Sequence, residues 1–266
     1  MQITFAGTGS GKVSLERYFS SFLISVPGYN LLVDAGDGAS RALEQSRVNF
    51  NSINSILFSH FHPDHLNGIS ALIIQMKMRK RTLPLQLLVH QNLTEKLNEF
   101  LETGYVFKER LGFELVILGF KTGESFFLSD NLSFKAKENS HLKKYEGTFE
   151  VFKEGAGREL LVSAGFLFTG ENTRLFYTGD VADKNDLYLF QAEAPEILLS
   201  ETTHIGLGEL IQAVREQRSI RKTFLTHISD EASLKTWLEA LPVSERERFV
   251  IASDGMKKDL TGPLLK

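Results

Sequence analysis

The sequence predicts an α/β chain in four layers, with two sheets packed face to face and helices on both outer surfaces. Three observations carry that expectation. Short apolar or β-branched runs ending at Gly or Pro recur in the first half and crowd the middle. Helical patterns with one apolar face are interleaved with later strand-like runs in both halves. The same order, strands first and then helices alternating with strands, occurs twice. Each element must bury its apolar side, and two such halves do so by pairing their sheets and covering the outer faces with helices. No stretch has the composition of a linker, and no low-complexity segment or short-period repeat intervenes, so residues 1–266 are read as one domain.

In chain order, QITFAG, SSFLISV and YNLLVDAG read as strands, GASRALEQS as a short helix and INSILFSH as a buried strand. From Leu66 to Met78, LNGISALIIQMKM has the apolar density and length of one helix packed on one face, ending in the basic run KMRKR before Pro84. LPLQLLVH is a strand and NLTEKLNEFLETG an amphipathic helix closed by Gly104. VFKERLGF reads as a further helix. Phe113 to Thr178 is strand-rich, with FELVILGF, ESFFLSD, LSFKAKEN, GTFEVFKE, RELLVSAGFLF and TRLFYTGD. Helical pattern returns in GELIQAVREQRS and ASLKTWLEAL, separated by the strand KTFLTHIS and followed by RFVIASDGM.

Composition narrows the classes. With 42% hydrophobic and 24% charged residues the chain is globular, neither disordered nor fibrous. A net charge of -3 does not advertise a nucleic-acid binder, although local basic patches remain: Lys77, Arg79, Lys80 and Arg81, and Lys135, Lys137, Lys143 and Lys144. The absence of cysteine excludes disulfides, thiolate metal sites and a cysteine nucleophile, and it fits a reducing cytoplasm. The start shows no basic segment leading into an apolar one, and every apolar run is shorter than the roughly 20 residues that cross a bilayer. AGTGSGK resembles a phosphate-binding loop, but Ala6 stands where its first glycine belongs and Val13 follows Lys12, so a tight turn is the better reading.

The chemistry is concentrated in SHFHPDHLNG, where three of the seven histidines and an aspartate fall between His60 and His65. In an extended segment residues two apart point the same way, so His60 and His62 converge on one point. After Pro63 the chain turns, and Asp64 and His65 face a second point nearby. Bare polar groups in apolar surroundings are costly, and a bound cation offsets that cost. Imidazole and carboxylate without sulfur favour zinc, manganese or iron. His141, Asp180 and His227 each sit at the end of a strand-like run, where site residues gather in layered α/β structures. Taken alone, each also fits an ordinary turn or surface position.

SHFHPDHLNG matches the His-x-His-x-Asp-His signature of the metallo-β-lactamase superfamily. Together with FAGTGSG, SSFLISVPGYNLLVDAGDGASRAL, NSHLKKYEGTFEVF, FYTGD and LTHIS, it resembles the ribonuclease Z branch and related phosphodiesterases over nearly the whole chain. The resemblance implies an αββα sandwich with two metals at one edge. It implies that His60, His62 and His141 hold one zinc, that Asp64, His65 and His227 hold the other, and that Asp180 bridges them. By the same resemblance Asp34 would steady the ligand loop and a homodimer is expected; as a ligand beside a shared water, Asp64 is also the candidate to orient the nucleophile.

Two features depart from that branch. Its His-Glu-Ala-Thr segment supplies a histidine to the leaving group, whereas this chain reads Ser200-Glu201-Thr202-Thr203, with His204 following. Glu201 and His204 are therefore the candidate acid-catalysis residues. Between His90 and Ser125 there is no long glycine- and proline-rich arm of the kind that grips tRNA. The expected function is a zinc-dependent phosphodiesterase acting on RNA or a small phosphodiester by metal-activated water. Two rival readings stand beside it: a hydrolase of another ester, lactone or cyclic phosphate, and a non-catalytic metal-containing RNA-binding protein.

Overall fold

The protein was analysed as a computed structural model, which describes residues 1–148 and 157–261. Strands β1 (Gln2–Gly7), β2 (Ser21–Val26) and β3 (Tyr29–Val33) form an antiparallel meander. The next three strands, β4 (Ser55–Leu57), β5 (Leu85–His90) and β6 (Leu115–Phe120), add in parallel. Their crossovers carry α1 (Ala39–Gln45), α2 (Pro63–Leu66), α3 (Ile69–Met78) and α4 (Thr94–Thr103). The chain then builds a second sheet on the same plan. Here β7 (Ser125–Ser129), β8 (Leu132–Glu138), β9 (Ala164–Thr169) and β10 (Arg174–Tyr177) are antiparallel. They are followed in parallel by β11 (Ile197–Glu201), β12 (Lys222–Thr226) and β13 (Phe249–Ile251). Helices α5 (Leu207–Glu216), α6 (Glu231–Glu239) and α7 (Val243–Arg246) belong to these crossovers. Finally β14 (Lys257–Asp259) returns to the first sheet and pairs with β1. Each sheet has seven strands.

The period of two along each strand sorts side chains into three apolar layers. Leu31, Val33, Leu88, Tyr177, Leu199 and Phe224 pack in the cluster between the sheets. Their neighbours Leu32, Leu87 and Val89 face outward against Leu72, Ile73 and Leu97 of α3 and α4. On the other side Phe176, Leu198 and Leu225 face Leu210, Val214 and Leu234 of α5 and α6. The layer order is therefore helix, sheet, sheet, helix, as the sequence pattern predicts.

Four local expectations need correction. The helix read from Leu66 to Met78 is two helices, broken between α2 and α3 at Asn67–Gly68. A Cβ on Gly68 would lie 2.1 Å from the Gly36 carbonyl oxygen, so this break is a close backbone approach that only glycine permits. VFKERLGF contributes only a 3₁₀ turn at Lys108–Arg110. The RELLVSAGFLF strand begins at Ala164, after a 3₁₀ turn at Arg158–Leu160. Strands β11 and β14 were not read at all, and GTFEVFKE lies largely outside the described residues.

Candidate metal centre

The strand ends of both sheets converge on one edge. After β4 the chain bends at Ser59, reaches His62 in extended conformation and enters α2 at Pro63, where its missing N–H costs nothing and its fixed φ suits the first turn. This brings Asp64 and His65 round to the same edge, with the His65 ring 4.2 Å from the His60 ring, centroid to centroid. The helix is stitched to the loop after β3 by the Ala35 N–H to the His65 carbonyl (2.7 Å) and the Gly68 N–H to the Ala35 carbonyl (2.9 Å). Asp34 and His227 each directly follow a strand, β3 and β12, in left-handed conformation with φ of 58° and 53°. Non-glycine residues rarely adopt it, and it tends to persist where surrounding structure over-determines the site.

Two groups of ligand-type atoms result, each with all its atoms within 4.8 Å of one another. One joins His60, His62, His141 and Asp180, and the other joins Asp64, His65, Asp180 and His227. Asp180 belongs to both. Its Oδ2 lies 3.9 Å from His60 Nε2, 3.7 Å from His141 Nε2 and 3.5 Å from His227 Nε2, while Oδ1 lies 3.3 Å from His65 Nε2. His62 Nδ1 faces His141 Nε2 at 3.2 Å, and Asp64 Oδ2 stands 3.0 Å from His227 Nε2. Four donors placed tetrahedrally about a zinc ion at 2.0–2.1 Å sit about 3.3 Å apart. The spacing therefore suits ligands around a small cation.

The unmet polarity points the same way. His60 Nε2, His65 Nε2 and Asp180 Oδ1 are buried without a hydrogen-bond partner, a condition that native structures explain by water or an ion. Other contacts fix which nitrogen faces the centre. His65 Nδ1 bonds Asp34 Oδ2 at 2.8 Å, His60 Nδ1 bonds Ser59 Oγ at 3.0 Å, and His141 Nδ1 lies 3.4 Å from the Val181 carbonyl oxygen. Asp34 also accepts from the Ser59 N–H and hydroxyl and from the Tyr177 hydroxyl. Partners of this kind orient ligand imidazoles and raise their basicity.

Charge divides the histidines into two sets. Burial and neighbouring imidazoles hold His60, His62 and His141 neutral, His141 at about 4. At His227 burial opposes the proton, but the charge of Asp180, the bond to Asp64 and the Glu201 carboxylate 3.7 Å away outweigh it and lift the pKa to about 9. His65 is raised in the same way by Asp180 and Asp34. Burial disfavours ionised Asp180, yet the charges on His227 and His65 pull it well below the carboxylate range. Protonated imidazoles thus supply positive charge of the kind a cation would bring. The residues present fit divalent metal.

His204 stands at the exposed side of this centre. Its Nδ1 is 3.2 Å from Glu201 Oε1, and a hydrogen bond to that carboxylate raises its pKa, offsetting partial burial. Glu201 is buried and accepts from the backbone N–H of Val181, Thr203 and His204. Burial opposes its charge, but the bond from His204 and the nearby charge of His227 hold it at about 2. Ser200 is fully buried on β11 and donates its hydroxyl to the Glu201 carbonyl.

All the candidate ligands therefore gather at one place, with Glu201 and His204 beside them. The basic patches are corrected in part. Arg81 is buried and its guanidinium donates to the carbonyls of Phe50, Asn51, Ile53, Leu83 and Pro84, so it is unavailable to phosphate. Lys135 and Lys137 pair with Glu193, and Arg79 pairs with Glu44. Lys143 and Lys144 are exposed on the turn that begins at His141. Sequence reading did not assign Ser59, Tyr177 or Asp186 a role. Asp186 binds the backbone N–H of Ser140 and Ala182 and so holds the two ligand turns together, a link across the chain that no local motif announces.

The model of the anti-Pycsar protein Apyc1 family matches residues 1–251. The chain belongs to that family. It is also similar to ribonuclease Z of Archaeoglobus fulgidus, 26% identical with 98% of each chain covered. Ribonuclease Z of Saccharolobus solfataricus is likewise 26% identical, over 86% of this chain and 89% of its own. Among solved structures, the short form of human tRNase Z superposes with a TM-score of 0.72 at 19% identity, covering 98% of this chain and 99% of that one. The metallo-β-lactamase fold protein YhfI of Bacillus subtilis gives 0.71 at 16% identity, over 97% and 98%. The αββα sandwich is thus the metallo-β-lactamase fold, and this family member is a metal-dependent hydrolase of the ribonuclease Z type.

Proposed function

We propose that the protein is a dinuclear, zinc-dependent phosphodiesterase that cleaves its substrate with activated water. The observation that carries this reading is the sharing of Asp180 by two histidine- and aspartate-rich groups. His60, His62 and His141 would hold one cation and Asp64, His65 and His227 the other, with Asp180 touching both. Bound there, two cations would lower the pKa of water and offset charge on a phosphoryl oxygen. Only Asp64 and Asp180 bring negative charge to this ligand set, so a doubly loaded centre keeps a net positive charge that suits an anionic diester. Asp64, beside the cation that it would hold with His65 and His227, would orient the attacking water.

His204 is the group to protonate the leaving oxygen, because it is accessible and the Glu201 bond favours its charged form. Glu201 is a positioning residue, since its oxygens are committed to His204 and three backbone N–H groups. Ser200 has no such access. The relatives named ribonuclease Z support RNA as substrate. A small or cyclic phosphodiester is favoured instead by the segment between His90 and Ser125. Among its described residues it forms α4, β6 and short 3₁₀ turns, with no protruding arm.

The test is turnover of bis(p-nitrophenyl) phosphate by protein loaded with zinc or manganese, followed by a precursor tRNA and a cyclic nucleotide in parallel. No turnover of any of the three, with both cations bound, refutes the proposal. Tight RNA binding without cleavage would then favour the non-catalytic reading. By the same likeness we propose a cytoplasmic homodimer, which sedimentation and cell fractionation test.

A further inference from the structure

We propose that Glu201, His204 and the outer ring nitrogen of His227 form a third cation site, which excess zinc fills and which then takes His204 away from the leaving group. The inhibitory action rests on the reading above that His204 is the acid. One ligand-type atom each from Glu201, His204 and His227 lie within 4.8 Å of one another, a group additional to the two that share Asp180. His227 presents its two nitrogens to different neighbours. Nε2 faces Asp64 Oδ2 at 3.0 Å and Asp180 Oδ2 at 3.5 Å, inside the centre. Nδ1 lies 3.7 Å from Glu201 Oε2 and is buried without a hydrogen-bond partner on a side chain 3% exposed. Such an orphaned atom calls for a water or an ion.

The spacing suits a small cation. Glu201 Oε1 and His204 Nδ1 are 3.2 Å apart, close to the roughly 3.3 Å that separates tetrahedral donors around zinc. The His204 and His227 rings lie 5.5 Å apart at 29°, so two imidazoles meet the two oxygens of one carboxylate. The His204 side chain is 34% exposed, which opens the site to solvent. A cation there replaces the hydrogen bond between Oε1 and Nδ1. It also displaces the proton on His227 Nδ1 and adds charge to a centre already positive when loaded, so this site fills last. With Nδ1 of His204 occupied, the ring keeps one proton, on Nε2. A neutral imidazole releases its only proton far less readily than an imidazolium does, and general acid catalysis stops.

The test adds zinc stepwise to chelator-treated protein. Bound zinc is read by equilibrium dialysis, and turnover is read on diesters with an alkoxide and with a p-nitrophenolate leaving group. The expected result is a third equivalent that binds more weakly than the first two. As it binds, alkoxide turnover falls by about 10²–10⁴-fold, the span of general acid catalysis, while p-nitrophenyl turnover changes little. His204→Ala keeps two equivalents and loses the third. Glu201→Gln, which leaves an oxygen for the backbone N–H groups, weakens the third. His90→Ala, at the one histidine in none of the three groups, keeps it. Two equivalents only in wild-type protein under excess zinc overturn the proposal. So does a third that is unchanged by the substitutions at 201 and 204 or is lost in His90→Ala. A third equivalent that leaves alkoxide turnover unchanged, or lowers both diesters alike, overturns the action on the acid. A third equivalent lost in His204→Ala, without turnover of either diester, supports the site and counts only against the phosphodiester reading.

Discussion

Replacing Asp34 by asparagine tests whether the centre is held from behind. The carboxylate is fully buried and accepts from the Ser59 N–H (2.8 Å), the Ser59 hydroxyl (2.9 Å), the Tyr177 hydroxyl (3.0 Å) and His65 Nδ1 (2.8 Å). Hydrogen bonds to a charged group contribute about 1.5–3 kcal/mol each, and they do not add. An amide oxygen still satisfies one or two of these donors, so the loss in stability is about 3–5 kcal/mol, as for a broken buried charge pair. His65 meanwhile loses the acceptor that fixes its tautomer. Orienting partners of this kind change metal affinity by about 10–100-fold. The assay pairs urea unfolding with chelator competition for zinc. Arg81→Ala is the control. It removes the donors to five backbone carbonyls, two of them buried, none of which belongs to a ligand residue, and costs about 3 kcal/mol or more, while zinc affinity stays unchanged. Asp34→Asn with zinc affinity within about twofold of wild type would refute the reasoning.

Other outcomes follow from the same geometry. Zinc loading near neutral pH releases protons, because His227 with a pKa of about 9 and His65, also raised, are protonated before the cation displaces them. Apparent affinity therefore rises with pH until about 9 is passed, and calorimetry in buffers of different ionisation enthalpy counts the protons. His204→Gln lowers turnover of a diester with an alkoxide leaving group by about 10²–10⁴-fold, the span of general acid catalysis. Esters of p-nitrophenol, which leave without a proton, change little, and an equal loss on both would reject the role. Gly68→Ala forces apart backbone that lies 2.1 Å from the new Cβ. It lowers the unfolding free energy by about 3 kcal/mol or more and weakens zinc binding through α2.

The layered fold was legible because two periods are written in the chain. YNLLV sends Leu31 and Val33 to one side and Leu32 to the other, and GELIQAVRE keeps Leu210, Ile211 and Val214 on one face of α5. The centre was legible because three ligand-type histidines share one short loop. What escaped notice depends on contacts far along the chain. The break at Gly68 is set by Gly36. Arg81 sits in a run that looks like a solvated face, yet its partners are the carbonyls of the loop from Phe50 to Ile53. Tyr177 reaches Asp34 from the opposite sheet. The fully apolar start of β11, Ile197 to Leu199, shows no alternation because it is covered on both faces, so it carries no strand signature of its own.

The most direct test of the central claim is a zinc titration of chelator-treated protein, with bis(p-nitrophenyl) phosphate turnover followed at each step. A centre built around shared Asp180 predicts that two equivalents bind and that activity climbs with the second, while Asp180→Ala loses both. Full activity at one equivalent, or without metal, would contradict it.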